Sequence, residues 1–162
     1  MSDFSKKIFG LGMNGNTPLH SLSKSSSPYA KESLKALIDG GMNVDETNDL
    51  GETPLMIALD NYLCASTLEE KINIMQNIKL LLEYTKNIDI VDSNAQSALH
   101  RVCQTGNIIL FNEIFKLNPK INQIDILGNT PFEYIPNEVK EPMYMLANQY
   151  LKNNRILKEN EE

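Results

Sequence analysis

The chain has 162 residues, 41% of them hydrophobic, and a formal net charge of −6 because 21 acidic residues outnumber 15 basic ones. This length favours one domain, and the negative charge argues against DNA or RNA as a partner, since nucleic-acid affinity depends on clustered Lys and Arg. Because no run approaches the ~18 apolar residues of a membrane span and residues 1–16 lack the apolar core of a secretory signal, we expect a cytoplasmic protein without membrane contact.

The first predicted element opens with a six-residue phrase that recurs along the chain. The copies read GNTPLH at 15–20, GETPLM at 51–56, AQSALH at 95–100 and GNTPFE at 128–133. A Thr before Pro is typical of a helix N-terminus, because its hydroxyl accepts a backbone N–H of the first turn and Pro lacks an N–H that would have no partner there. The first, second and fourth copies contain this pair and predict the start of a helix at Thr17, Thr53 and Thr130; the third copy has Ser97-Ala98 at the same place.

A second helix is predicted after each of the first three copies, because apolar residues recur there at intervals of three and four. These helices are expected over 29–39, 67–84 and 107–117. The middle one is unusually long, and Ser66 or Thr67, three residues before Glu69 or Glu70, forms a capping-box pattern at its start. A last amphipathic segment at 141–153 has polar residues suited to a terminal unit with one solvent face.

The spacing of the phrase identifies the architecture. Its Thr or Ser recurs in steps of 36, 44 and 33 residues. In each of the last three copies, an Asp or Asn that follows a hydrophobic residue lies eight residues before this Thr or Ser. The chain resembles the ankyrin-repeat family over about residues 14–150, since that family has a 33-residue unit opening with T-P-L-H-x-A. The surpluses of 3 and 11 residues then fall at the links between paired helices.

The resemblance implies an all-α ankyrin-repeat solenoid of stacked helix-turn-helix units with β-hairpin-like loops. Repeats are expected near 14–47, 48–91 and 92–124, with a C-terminal capping repeat at 125–156. The flanks are an N-terminal tail, 1–13, and a charged tail, 157–162. We expect residues 1–10 and the charged tail to be mobile. Pro136 is expected to shorten the first helix of the last unit.

His20 and His100 are the only histidines and occupy the fourth place of the phrase. The resemblance implies that this His forms hydrogen bonds between neighbouring repeats, which we favour over a metal or acid–base role. Without a third His or a C-x-x-C pair a zinc site lacks ligands, and no phosphate-binding Gly-rich motif occurs. We interpret Cys64 and Cys103 as buried thiols. Because ligand sets, phosphate-binding motifs and an activated nucleophile are all missing from the sequence, we expect no metal, cofactor or catalytic activity.

Exposed loop positions are the candidates for binding. Asp45, Glu46, Asp49 and Glu52 form an acidic cluster that we interpret as a solvated loop, with a partner contact as the alternative. Apolar residues also crowd the predicted hairpin tips, where a lone chain gains little from them. These residues are Ile90, Val91, Ile124, Ile126 and Leu127. About half of them are expected to pack between adjacent hairpins, and the remainder are candidate contacts.

Repeat stacks present a long concave face, and the resemblance implies a non-catalytic protein–protein interaction module that binds another protein through this face and the hairpin tips. The family's variable contact positions correspond to Asp49, Leu50, Glu52, Asp60, Asn61, Ser93, Asn94, Gln96, Gln104, Thr105, Ile126, Leu127 and Asn129. Short ankyrin proteins with irregular insertions resemble those of viruses and intracellular bacteria that engage host proteins, so a host-directed regulator or inhibitor is expected. We expect a monomer. A self-associating scaffold or regulatory subunit is the alternative, and an enzyme is the least favoured class.

Overall fold

The computed structural model describes residues 13–159, so the predicted tails fall outside it at 1–12 and 160–162. The described residues form seven α-helices: α1 (Pro18–Ser23), α2 (Ala30–Asp39), α3 (Pro54–Cys64), α4 (Leu68–Tyr84), α5 (Ala98–Thr105), α6 (Ile108–Phe115) and α7 (Lys140–Glu159). Three short 3-10 segments complete them: Met13–Gly15, Pro131–Tyr134 and Asn137–Val139. Because α7 continues to Glu159, the first residues of the predicted charged tail are helical.

The helices stack in two layers. The inner layer consists of α1, α3, α5 and the turn Pro131–Tyr134, each in contact with the next, and the outer layer consists of α2, α4, α6 and α7 in the same order. This arrangement is the predicted all-α ankyrin-repeat solenoid. The loops between units are hairpin-like, but within residues 13–159 they contain no strand and only one isolated antiparallel bridge, between Val91 and Ser97.

Helix starts follow the sequence signals. The Thr17 and Thr53 hydroxyls accept the backbone N–H groups of His20 and Met56 at 3.4 and 3.3 Å. At α4, Thr67 accepts from the Glu70 N–H at 3.1 Å while the Glu70 carboxylate accepts the Thr67 N–H at 3.0 Å. These bonds satisfy first-turn N–H groups that have no partner inside the helix.

The last unit lacks a regular first helix, as the position of Pro136 predicts. Its phrase forms the 3-10 turn Pro131–Tyr134. Pro136 has no N–H to donate back to Phe132, so an α-helix cannot continue through this point. The long helix α7 follows and packs on α6, where the Tyr150 hydroxyl donates to Asn112 Oδ1 at 2.9 Å.

The two insertions lie near each other, at the links between the paired helices of the first two repeats. Helix α4 has 17 residues against 10 in α2 and 8 in α6, and α3 has 11 against 6 in α1 and 8 in α5. The 11-residue surplus of the second repeat thus lengthens both α3 and α4. Asn73 and Asn77 of α4 donate to the carbonyls of Ser26 and Ser25 at 2.9 and 3.1 Å, which fastens the first inserted link.

One hydrophobic core runs through the stack. The inner-helix leucines Leu19, Leu55 and Leu99 are at most 2% exposed and join the buried residues of the outer helices in a single cluster. Cys103 is buried, but the prediction for Cys64 is wrong, because this residue is exposed at the C-terminal end of the lengthened α3. Burial there would require a neighbouring helix of the same length, and α5 is shorter.

Candidate functional site

Three loops with the same hydrogen-bond pattern stand at the inner edge of the stack; we call them the fingers, residues 48–52, 92–96 and 125–129. Asn48 Oδ1 accepts the N–H groups of Leu50 and Glu52 at 3.0 and 2.9 Å. Asp92 and Asp125 do the same in their own fingers, with distances of 2.8 to 3.0 Å. Each finger therefore has its backbone fixed by one Asn or Asp side chain, as in Asx turns.

Successive fingers are joined by backbone hydrogen bonds. The Leu50 carbonyl accepts the Ser93 N–H at 2.8 Å, and the Asn94 carbonyl accepts the Ile126 N–H at 3.0 Å. The same bond, at 2.9 Å, joins Asn14 of the first repeat to the Asp49 N–H. The tips consequently form a continuous row whose spacing is set by the repeats.

Large apolar side chains remain exposed along this row. Leu50 is 47% exposed, Ile126 66% and Leu127 74%. Of the apolar residues expected near the tips, Ile90 and Val91 are half-buried, whereas Ile124, Ile126 and Leu127 are exposed. Together with Leu50, these exposed side chains form the apolar part of the site.

His20 and His100 connect neighbouring repeats, as the resemblance implied. His20 Nδ1 accepts the Thr17 N–H at 3.1 Å, so the proton lies on Nε2, which donates to the Glu52 carbonyl at 2.9 Å. His100 bonds in the same way to the Ser97 N–H and the Asn129 carbonyl, at 3.1 and 3.3 Å. Desolvation by burial lowers the pKa of both rings, which keeps them neutral and disfavours a role as a proton donor.

The junction between the second and third repeats has a different connection, centred on the buried Arg101. Its Nε donates to Asp60 Oδ1 at 2.9 Å, and its Nη2 donates to Glu52 Oε1 at 3.1 Å and to Asp92 Oδ2 at 2.9 Å. The Arg101 side chain is 8% exposed, Asp92 3%, Glu52 19% and Asp60 44%. Three carboxylates thus share one guanidinium, and the buried Nη1 has no partner among the described residues.

Asp60 is the outermost carboxylate of this network. Burial raises its pKa from the usual range; the Arg101 charge and hydrogen bond oppose that rise, and the nearby Glu52 and Asp92 add to it. Its Oδ1 is bound to Arg101, while no described residue donates to its Oδ2. The network therefore leaves excess negative charge at the surface, together with a carboxylate oxygen that has no donor among the described residues.

A second polar network lies under the last finger. The Tyr134 hydroxyl donates to Asp125 Oδ2, and Gln96 Nε2 donates to the same oxygen at 3.1 Å. Asn129 Nδ2 donates to the Tyr134 oxygen at 3.3 Å. The Tyr134 hydrogen bond, joined by those from Gln96, Asn129 and Leu127, holds the pKa of Asp125 far below its usual range.

The predicted contact residues divide into two groups. Several are occupied inside the stack: Glu52, Asp60, Asn61, Gln96, Thr105 and Asn129 all have hydrogen bonds to other repeats or to their own helix. The others lie on fingers or at the end of α5 with some or most of the side chain exposed: Asp49, Leu50, Ser93, Asn94, Gln104, Ile126 and Leu127. The second group, together with the exposed Asp60 Oδ2, is the better basis for a partner contact.

The predicted acidic cluster does not act as one site. Asp45 Oδ2 accepts the N–H groups of Lys86 and Asn87 at 2.9 and 3.0 Å, which joins the turn after α2 to the turn after α4. Glu52 belongs to the Arg101 network. Asp49 remains exposed on the finger row. Two members of the cluster therefore serve the stack, Glu46 is half-buried, and Asp49 is exposed beside the apolar tips.

Sequence reasoning missed Arg101 and the three finger residues Asn48, Asp92 and Asp125. A signal for the latter was present, because each lies five residues before the Thr or Ser of the next phrase. A weaker signal marks Arg101, which is one of two arginines in a chain whose other strong bases are lysines. Buried ion pairs favour Arg, because its planar guanidinium can bind several carboxylates at once.

Within residues 13–159, no group of three His, Cys, Asp or Glu side chains is arranged to hold a metal ion. Burial strongly raises the pKa of the Cys103 thiol, so this residue stays protonated and is a poor nucleophile. No helix in the described part of the chain is long and apolar enough to cross a membrane.

The chain is similar to an ankyrin-repeat protein of a virus. No family model matches the chain. Two sequences of the Ankyrin repeat protein OPG189 of Variola virus are each 28% identical to it over 109 residues, which is 67% of this chain and 18% of the relative. The chain therefore spans less than a fifth of the length of these relatives. The similarity supports the ankyrin-repeat fold and a relationship to viral ankyrin-repeat proteins.

Proposed function

We propose that this chain is a non-catalytic protein-interaction module that binds another protein through the finger row and the adjoining inner face. The observation that carries the proposal is the exposure of Leu50, Ile126 and Leu127, at 47%, 66% and 74%, on a backbone fixed by hydrogen bonds between repeats. Clustered exposed apolar side chains mark interaction sites, and a preorganised row loses little conformational freedom on binding.

The same proposal extends to a host-directed role inside the cell. It is supported by the similarity to an ankyrin repeat protein of Variola virus, and the partner would then be a protein of the infected cell. An inhibitor or regulator that occludes a surface of this partner needs only the contact face described above, without catalytic groups.

Site-specific photocrosslinking tests the proposal. A photoreactive residue replaces Leu127 on the finger row, which is 74% exposed. In a matched control it replaces Leu68 on α4, which is 75% exposed. Both variants are irradiated in a host-cell extract, and the crosslinked species are identified by mass spectrometry and then purified for binding measurements. We expect a discrete protein adduct at position 127 that is absent at 68 and competed away by unlabelled protein.

Two results would contradict the proposal. An adduct at 68 and none at 127 would place recognition on the lengthened outer helix. An adduct of twice the chain mass of 18.3 kDa would indicate pairing of copies, which supports the alternative of a self-associating scaffold; sedimentation of the purified protein checks this directly.

A further inference from the structure

The two layers of the stack carry different charge. The inner segments 13–24, 48–64, 92–106 and 125–135 hold six carboxylates against two basic side chains. The outer segments 30–39, 68–84, 108–115 and 140–154 are nearly balanced, with seven carboxylates against six lysines. Negative charge is therefore concentrated on the layer that also exposes the apolar finger tips.

The Arg101 network of the inner layer is not neutral by itself. Arg101 is bound to three carboxylates, so the network keeps an excess of two negative charges. Both oxygens of Glu52 and of Asp92 have donors within the chain. Asp60 differs, because its side chain is 44% exposed and its Oδ2 accepts no hydrogen bond from a described residue.

A cation is the group that this position lacks. An added Lys or Arg would supply a donor for Asp60 Oδ2 and would compensate the repulsion among the three carboxylates. The negative potential of the inner layer would also attract such a partner during association. The apolar tips of the same surface require aliphatic or aromatic side chains on the partner.

We infer that the inner face binds a protein segment that combines a Lys or Arg with nearby apolar side chains, the basic group meeting Asp60 and the apolar groups covering the finger tips. This inference rests on the proposed function and specifies the chemistry of its partner. The acidic network selects the basic residue, while the tips supply the apolar contact area.

Selection from a library of random dodecapeptides displayed on phage tests this chemistry without knowledge of the natural partner. Bound phage are eluted by an excess of free wild-type protein, sequenced, and remade as soluble peptides for titration. We expect peptides enriched in Lys or Arg within a few residues of Leu, Ile, Val or Phe. Their affinity should fall when Leu127 is changed to Ser.

Three variants separate a specific contact from general attraction to an acidic protein. Asp60→Asn should weaken the binding of the selected peptides about two- to fivefold, the upper part of the range for partly exposed charge contacts. Asp60→Glu should restore part of the loss. Glu83→Gln removes the same charge from an exposed position of α4 and should change affinity less than twofold. Thermal unfolding is used to confirm that all three variants are folded.

The possible failures are distinct. Peptides that require Leu127 but lack basic residues, or basic peptides that Asp60→Asn and Glu83→Gln weaken equally, would overturn this inference and leave the proposed function standing. Peptides insensitive to Leu127→Ser and Asp60→Asn, or the recovery of none above background, would count against both.

Discussion

The inner and outer layers of the stack use their side chains in different ways. Between outer helices the contacts are mainly apolar, with Ile74, Ile78 and Phe111 at most 1% exposed. Between inner helices, polar groups cross every junction: a His at the first and third, and Arg101 at the second. Because most inner polar groups are already bound to a neighbouring repeat, the groups left exposed there are the ones available to a partner.

The junctions also show how a missing motif residue is replaced. The second copy of the phrase has Met56 where the first and third have His, and this Met is 1% exposed. It has no ring nitrogen to bond the next finger. The Arg101 network crosses that same junction. We therefore interpret Arg101 as the substitute for the absent His.

Leu99→Ala should give the largest loss of stability, roughly 2–5 kcal/mol in urea unfolding, because truncation leaves a cavity in the packed inner layer. Leu68→Ala is the matched control on the outer side, since Leu68 is 75% exposed and surface changes stay within about 0.5 kcal/mol. A loss below about 1 kcal/mol for Leu99→Ala would contradict the repeat register.

Arg101→Met tests whether the network joins the second repeat to the third. Removing the guanidinium leaves three carboxylates close together, and we expect a loss of about 2–4 kcal/mol, reduced from the range for fully buried pairs because Asp60 can be hydrated. Lys79→Met, at an exposed position of α4, should change stability by less than about 0.5 kcal/mol. Equal effects of the two changes would show that Arg101 contributes no more than a surface charge.

The two His junctions should make stability depend on pH, with a smaller effect than Arg101→Met. Burial lowers the folded-state pKa of His20 and His100, so the unfolded chain binds more protons near its own His pKa of about 6.5. The free energy of unfolding should then be highest above about pH 7 and decrease as the pH falls towards 5. Urea midpoints across this range measure the slope, and His20→Gln or His100→Gln should each flatten it; an unchanged slope in both variants would refute the assignment.

The finger turns allow the smallest and most local comparison. Gly128 and Ala95 occupy the same turn position with φ of 81° and 58°, and a Cβ at Gly128 would meet nothing within 4 Å. Gly128→Ala should therefore cost about 1 kcal/mol from backbone strain alone, while Ala95→Gly should gain about 0.5–1 kcal/mol. Thermal unfolding measures both changes, and the same sign for the two would contradict this account of the turns.

Local sequence signals predicted the fold well, because helix starts depend on neighbouring residues. Thr17, Thr53 and Thr67 begin helices where the phrase and the capping box place them, and Pro136 shortens the last unit. The site was harder to predict, because it depends on pairs distant in sequence. Asp60 and Arg101 are 41 residues apart, and no local pattern indicates that one binds the other.

Binding by the finger row is the central claim, and two matched pairs of leucines test it most directly. Leu50 and Leu127 on the fingers are 47% and 74% exposed, and Leu63 and Leu68 near the insertion are 49% and 75% exposed. The partner identified by crosslinking at position 127 is titrated calorimetrically with the double variant Leu50→Ala, Leu127→Ala. We expect the binding free energy to fall by at least ~1–2 kcal/mol, since few residues carry most binding energy. The Leu63→Ala with Leu68→Ala variant should bind like the wild type. Unchanged affinity in the finger variant together with lost affinity in the other would contradict the claim and assign recognition to the insertion.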